Sequence, residues 1–321
     1  LIWIGAIMTA FPVFFAVIEN DLRRVLSFSL NNQLGFMVVG IGIGTELSLN
    51  GTVAHAFVHI IYKALLFMSM GAVLHRVGTT KASELGGLYR YMPLTTIFCI
   101  IGAMSISAFP LFSGFVAKSL IMSALGGQGL IIIYFVLFFA SAGVLEHSGI
   151  KIPYFAFFAH ERKTKVKEAP FNMLLAMGVA AFLCIGIGVY PKYLYSILPY
   201  AVDYHPYTID HVISQLQLLV FAILAFLFLI KFKLYPSEMK STVLNSDWFY
   251  RKMLPGIGRQ LFKNLSFVIN LIYSQLELFF KYFMNKTKNL STSHYVRVIT
   301  PGFATFVLIL ILFLMLLMAV I

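Results

Sequence analysis

The chain has 321 residues, of which 60% are hydrophobic and only 11% charged, where a soluble domain carries roughly 25% charged residues. The formal net charge is +12, but the basic residues gather in a few loops between apolar runs, which excludes a nucleic-acid footprint. The two cysteines, Cys99 and Cys184, each fall in an apolar run without CxxC spacing, which argues against a disulfide framework, a zinc site or an iron–sulfur cluster.

Apolar runs long enough to cross about 30 Å of hydrocarbon occur at 1–18, 25–45, 52–74, 94–124, 129–149, 171–190, 211–230 and 300–321. They predict an all-α, multi-pass membrane protein, a bundle of about eight transmembrane helices. The chain opens with Leu1 inside an apolar run, which reads as a fragment or a processed piece of something longer. The second run carries Ser27, Ser29, Asn31, Asn32 and Gln33 in its first turns; such groups need partners from neighbouring helices and place this span inside the bundle. The fourth run would extend about 46 Å as one helix, and it holds Ser105, Ser107, Pro110, Ser113 and Gly114 ahead of Lys118. Proline removes a backbone donor, so the run is expected to be a discontinuous helix broken near 108–114, with freed carbonyls lining a cavity beside Lys118.

Assigned alternately to two sides, the loops 19–24, 75–93, 150–170 and 231–299 hold 2, 3, 5 and 11 Lys+Arg, whereas 46–51, 125–128 and 191–210 hold only Lys192. That asymmetry puts the basic loops on the cytoplasmic or matrix side, facing anionic lipid. The organisation expected is a bundle over 1–235, an amphipathic segment on the basic side over 236–299, where aromatic and basic residues follow Pro255 and Gly256 with helical period, and a final span at 300–321.

The chemistry-bearing candidates lie inside the spans. His55, His59 and Lys63 recur every fourth residue and so share one helix face; a titratable stripe at membrane depth reads as a proton route, with hydrogen bonds to neighbouring helices and a lysine paired to a buried acid as the alternative. Lys118 reads as a second site on that route, or as a lysine snorkelling to an interface. Glu146, His147 and Lys151 end the fifth run, as a further site or as an ordinary charged helix end. Glu19, Asp21, Arg23 and Arg24 form a loop cluster that is either a salt-bridged topology signal or a coupling element. Tyr62 is either a hydrogen-bond donor beside Lys63 or packing. The chain has no P-loop, strand-to-helix GxGxxG, HExxH or GxSxG motif, so neither nucleotide binding nor hydrolysis is expected.

Three stretches, Asp21–Gly35, His55–Phe67 and Ser107–Lys118, resemble, in the same order, the signatures of the antiporter-like membrane subunits of respiratory complex I, membrane-bound hydrogenases and Mrp-type cation/proton antiporters. Arg23 stands where that family has lysine and Phe28 where it has tyrosine. Lysine at 118, with Asp247–Arg251 further on, is most similar to the D-type subunit of Mrp antiporters.

The resemblance implies the second of two inverted five-helix units, with Lys63 as mid-membrane proton carrier, His55 and His59 as its relay and Lys118 as the terminal exchange site. It implies an ion-translocating subunit with no cofactor, metal or redox centre of its own. Its partners would be other membrane subunits of a hetero-oligomeric antiporter or complex I-like assembly, and its ions protons, with Na+ or K+ as exchanged cations. Its place would be the bacterial inner membrane. The alternative is a proton-pumping subunit of an NADH–quinone oxidoreductase or an energy-converting hydrogenase.

Overall fold

The structure is a computed structural model that describes residues 1–159, 165–232, 234–235, 247–291 and 301–320. Two compact units make it up, Leu1–Val243 and Leu244–Ile321. The expected domain boundaries near 236 and 300, and basic-loop residues such as Arg162, Lys163, Lys240 and Arg297, lie outside the described residues.

The first unit is all helix apart from its connections. It contains α1 (Ile2–Ile18), α2 (Leu22–Ile43), α3 (Glu46–Val77), α4 (Pro93–Ile106), α5 (Ser113–Gly127), α6 (Ile131–Phe158), α7 (Phe171–Val189), α8 (Lys192–Ser196) and α9 (Ile209–Lys231). Among the described residues α2, α3, α6, α7 and α9 are each long and apolar enough to cross a membrane. Helix α1, with 17 residues, reaches about 26 Å and sits at the short limit; α4 and α5, with 14 and 15 residues, are shorter still.

Local chemistry sets the helix ends. The Asp21 carboxylate accepts from the Arg23 N–H at 2.9 Å to open α2, the Thr45 hydroxyl opens α3, and Gly44 (φ +74°) and Gly78 (φ +81°) close α2 and α3 in the left-handed region. Helix α3 packs against α2, α4, α5 and α7 and is the centre of the bundle. It therefore buries both apolar side chains (Val58, Leu65, Leu66, Met70) and polar ones, while the outer helices turn residues such as Phe14, Phe182 and Phe221 outward. In hydrocarbon the apolar surface gives no preference for neighbouring helices over lipid, so close packing and interhelical hydrogen bonds hold this arrangement.

Hydrogen bonds sort the connections into two ends. At one end Asp21 accepts from Thr80 at 2.9 Å, Asn20 donates to Ser83 at 3.0 Å, Arg76 donates to the Glu168 carbonyl at 2.9 Å and Thr95 to the Glu168 carboxylate at 2.6 Å. At the other, Asn50 donates to the Tyr200 carbonyl at 3.1 Å and accepts from its N–H at 3.0 Å.

The fifth apolar run departs from expectation. Its helix does not stop at 149; α6 continues to Phe158 through widened π-type turns at Leu145–Ile150 and Tyr154–Phe158. Lys151, counted with the loops from sequence, is therefore a fully buried helix residue.

In the second unit a π-type turn, Phe249–Met253, leads without a break into α10 (Leu254–Ser291), which carries Pro255 and Gly256 near its start. Its apolar and charged residues follow helical period, and Glu277 pairs with Lys281 one turn on at 2.6 Å. That lysine draws the exposed Glu277 carboxyl below its ordinary range. Helix α11 (Pro301–Val320) ends the described chain.

Candidate functional site

The row on α3 is buried throughout: His55 at 0% exposure, His59 at 6% and Lys63 at 4%. The two imidazoles stack nearly parallel, centroids 6.1 Å apart, and the far face of His55 lies on the Phe36 ring, also at 6.1 Å. Tyr62, on the same face of the helix, stands edge-on to both histidines; its hydroxyl donates to Gln33 Oε1 at 3.1 Å and lies 3.4 Å from His55 Nε2. Gln33 in turn donates to Asn32 Oδ1 at 2.6 Å, Asn32 donates to the Thr9 carbonyl, and the Thr9 hydroxyl returns a bond to the Asn32 carbonyl at 2.8 Å. A connected polar chain thus runs from α1 through α2 to His55. Among the described residues the Lys63 side-chain nitrogen has no hydrogen-bond partner, acidic or otherwise.

The break between α4 and α5 follows from one missing donor. In a continuous helix the Ile106 carbonyl would accept from residue 110, which is Pro110 and has no N–H. The chain turns instead through Ala108 (φ +58°) and Leu111 (φ +72°), left-handed conformations that cost non-glycine residues about 1–2 kcal/mol each. Lys118 Nζ donates to the orphaned Ile106 carbonyl at 2.8 Å and sits 5.2 Å from the Phe36 ring centroid. It is 4% exposed and does not snorkel. The Ser107 carbonyl, also freed, accepts from Gln215 Nε2 of α9 at 3.4 Å, and the Ser105 and Ser113 hydroxyls meet across the break at 2.8 Å. Gly114 and Gly188 press on this turn; a Cβ on the first would strike the Ser105 carbonyl and on the second that of Leu111.

Phe36 ties the two sites together, with His55 stacked on its ring and Lys118 beside it. His147 is fully buried, and its Nδ1 lies 2.8 Å from Ser148 Oγ. Lys151 donates to the carbonyls of Val17 and Glu19 (2.8 Å to the latter), so a buried cation caps the C-terminal end of α1, where the helix dipole favours one. Glu146 accepts from the Tyr235 hydroxyl at 3.0 Å. Glu19 pairs with Arg24 at 3.6 Å, Asp21 caps α2, and Arg23 is exposed on the first turn of α2. These acidic and basic groups form one cluster at the α1–α2 corner, joined to α6 through Lys151.

Sequence reasoning left four side chains out of this network. Tyr62 is bonded to Gln33 and His55 rather than to Lys63; Asn32 and Gln33 signalled only an interior span, not this connection; His211, in the first turn of α9, faces Lys118 across a small cavity. Nearby, burial pushes the Tyr195 phenol up, so it stays protonated and donates to the Val116 carbonyl at 2.8 Å. Among the described residues no group of three or more His, Cys, Asp or Glu is placed to hold a metal ion.

Residues 1–144 match the family model described as NADH:quinone oxidoreductase/Mrp antiporter, transmembrane. Among curated relatives, NADH-ubiquinone oxidoreductase chain 5 of Cryphonectria parasitica is 27% identical over 290 residues, 85% of this chain and 43% of that protein. Chain 5 of Dictyostelium citrinum is 30% identical over 245 residues, 70% of this chain and 36% of that one. The chain thus spans less than half the length of these relatives. In fold it is similar to the Mrp complex from Dietzia sp. DQ12-45-1b (TM-score 0.55, 22% identity, covering 60% of this chain and 45% of that one). It is also similar to an archaeal membrane-bound sulfane sulfur reductase (TM-score 0.60, 22% identity, 98% and 55%). Over its first 144 residues, less than half of its length, the chain is similar to the NADH:quinone oxidoreductase/Mrp antiporter family, and its helices have the antiporter-like all-α membrane fold.

Proposed function

We propose that this chain forms one half-channel of a proton-translocating membrane subunit in a multi-subunit, Mrp-type cation/proton antiporter. The observation that carries the reading is the buried sequence His55, His59, Lys63 on α3 with Lys118 at the helix break, sharing Phe36 between them. Lys63 acts as the mid-membrane carrier, His55 and His59 as its relay, and Lys118 as the exchange site. Keeping a charge at this depth costs from roughly 2.5 to 17 kcal/mol, an expense that a purely structural helix avoids. Coupling is electrostatic: two unit charges about 8 Å apart repel by about 2 kcal/mol at an effective dielectric of about 20, enough to shift a proton from one site to the next. Glu146, His147, Lys151 and the Asp21, Arg23 and Arg24 corner are the secondary elements of this route. Other membrane subunits complete it, in a bacterial plasma membrane with the basic loops inside.

The names of the curated relatives favour a second reading, the proton-pumping membrane subunit of an NADH–quinone oxidoreductase. The two readings share the channel and differ in what drives it. The test is Lys118→Met in the full-length assembly reconstituted in vesicles. Proton flux should fall at least tenfold while the subunits still copurify, and wild-type flux would remove Lys118 from the route. Copurifying flavin or iron–sulfur subunits decide for the second reading, and small antiporter subunits alone for the first.

A further inference from the structure

Lys118 borders a cavity of about 20 Å³, room for roughly one water molecule. Phe36, Phe115, Ser119, His211 and Gln215 are among its other walls, and His211 is the one titratable side chain there besides Lys118. Its ring lies flat on Phe115, centroids 4.6 Å apart and 20° from parallel. Its Nδ1 is 2.8 Å from the Pro206 carbonyl, which can only accept; Nδ1 therefore carries a hydrogen, and in the neutral ring Nε2 is left to accept one. Pro206 in turn lines a surface bowl of about 900 Å³ between α7 and α9, together with Tyr195, Asp203, Tyr204, His205 and Tyr207. Tyr207 stacks on the same Phe115 ring at 5.2 Å. The groups facing His211 are thus Lys118 across the cavity and Tyr207 over the shared phenyl ring, with Asp210 adjacent in sequence and His205 in the bowl.

We propose that His211 is the relay between Lys118 and the bowl, and that the 190–208 connection forms the mouth of this half-channel. The inference rests on the proton-conduction reading of Lys118. In each passage the Lys118 ammonium releases a proton to a water in the cavity, His211 Nε2 takes one from that water, and Nδ1 releases its own to solvent water in the bowl. Ring rotation returns the starting tautomer. One proton moves and no electrons do.

The experiment measures proton flux in vesicles holding the full-length assembly. His211→Phe keeps an aromatic ring on Phe115 but cannot carry a proton, and flux should fall at least tenfold with assembly intact. His211→Ala should fall as far, and imidazole added on the side bathing the bowl should restore at least a third of the wild-type rate. Wild-type flux in His211→Phe, or a loss in His211→Ala that imidazole does not restore, overturns the relay. If His211→Phe does not assemble, the imidazole result alone decides. Lys118→Met separates the two ideas: no flux there beside normal flux in His211→Phe removes only the relay, whereas wild-type flux in Lys118→Met removes the conduction reading itself.

Discussion

Lys63 and Lys118 are both lysines buried in one bundle, but the protein holds them differently. Lys118 has a fixed partner, the Ile106 carbonyl, and an aromatic ring beside it, whereas Lys63 has no hydrogen-bond partner among the described residues. A group meant to gain and lose a proton is better left without a strong fixed acceptor, because each bond to the charged form stabilises that form. Tyr62 extends the contrast, since its hydroxyl lies between Gln33 Oε1 and His55 Nε2. Tyr62→Phe leaves Gln33 Oε1 short of a buried donor, at a cost of about 1–3 kcal/mol. The predicted outcome is a lower melting temperature for the purified assembly and a three- to tenfold slower proton flux. An unchanged melt and rate would show that the hydroxyl only packs. The histidine row was readable in the sequence because four-residue spacing is a local property of a helix. The Tyr62–Gln33 bond was not, because it depends on where α2 crosses α3.

Among the elements, the broken pair α4–α5 was legible for the same kind of reason. Pro110 deletes a donor at a known position, and the carbonyl it orphans is the one that Lys118 occupies. The widened turns of α6 were not legible, because a π-type turn keeps the apolar composition of an ordinary helix and changes only the register of its backbone bonds. That shift turned Lys151 from a loop charge into the cap of α1. His211 escaped notice because α9 touches the break only after the chain has passed through α6 and α7. The break itself depends on close approach. Gly114→Ala drives a methyl into the Ser105 carbonyl and should destabilise the assembly by about 1–3 kcal/mol, whereas Gly127→Ala, with open space around it, should have no effect. Equal melting temperatures for the two variants would show that the break tolerates a side chain there.

For the whole molecule, the loop-to-loop hydrogen bonds define two ends without reference to charge. The loops 19–24, 75–93 and 165–170 are joined by hydrogen bonds at one end, and the connections near Asn50 and Tyr200 at the other. Single cysteines at Glu46 and Lys192, in a background without Cys99 and Cys184, should react with a membrane-impermeant thiol reagent from one face of sealed vesicles. Cysteines at Arg90 and Lys165 should react from the opposite face. Labelling of Lys192 and Arg90 positions from the same face would contradict the two-ended bundle.

On the proposed route, protons cross this bundle through the row on α3. Proton uptake into vesicles carrying the full-length assembly with Lys63→Ala tests it most directly. At least a tenfold loss with the assembly intact is expected; uptake at the wild-type rate would remove the row from the route.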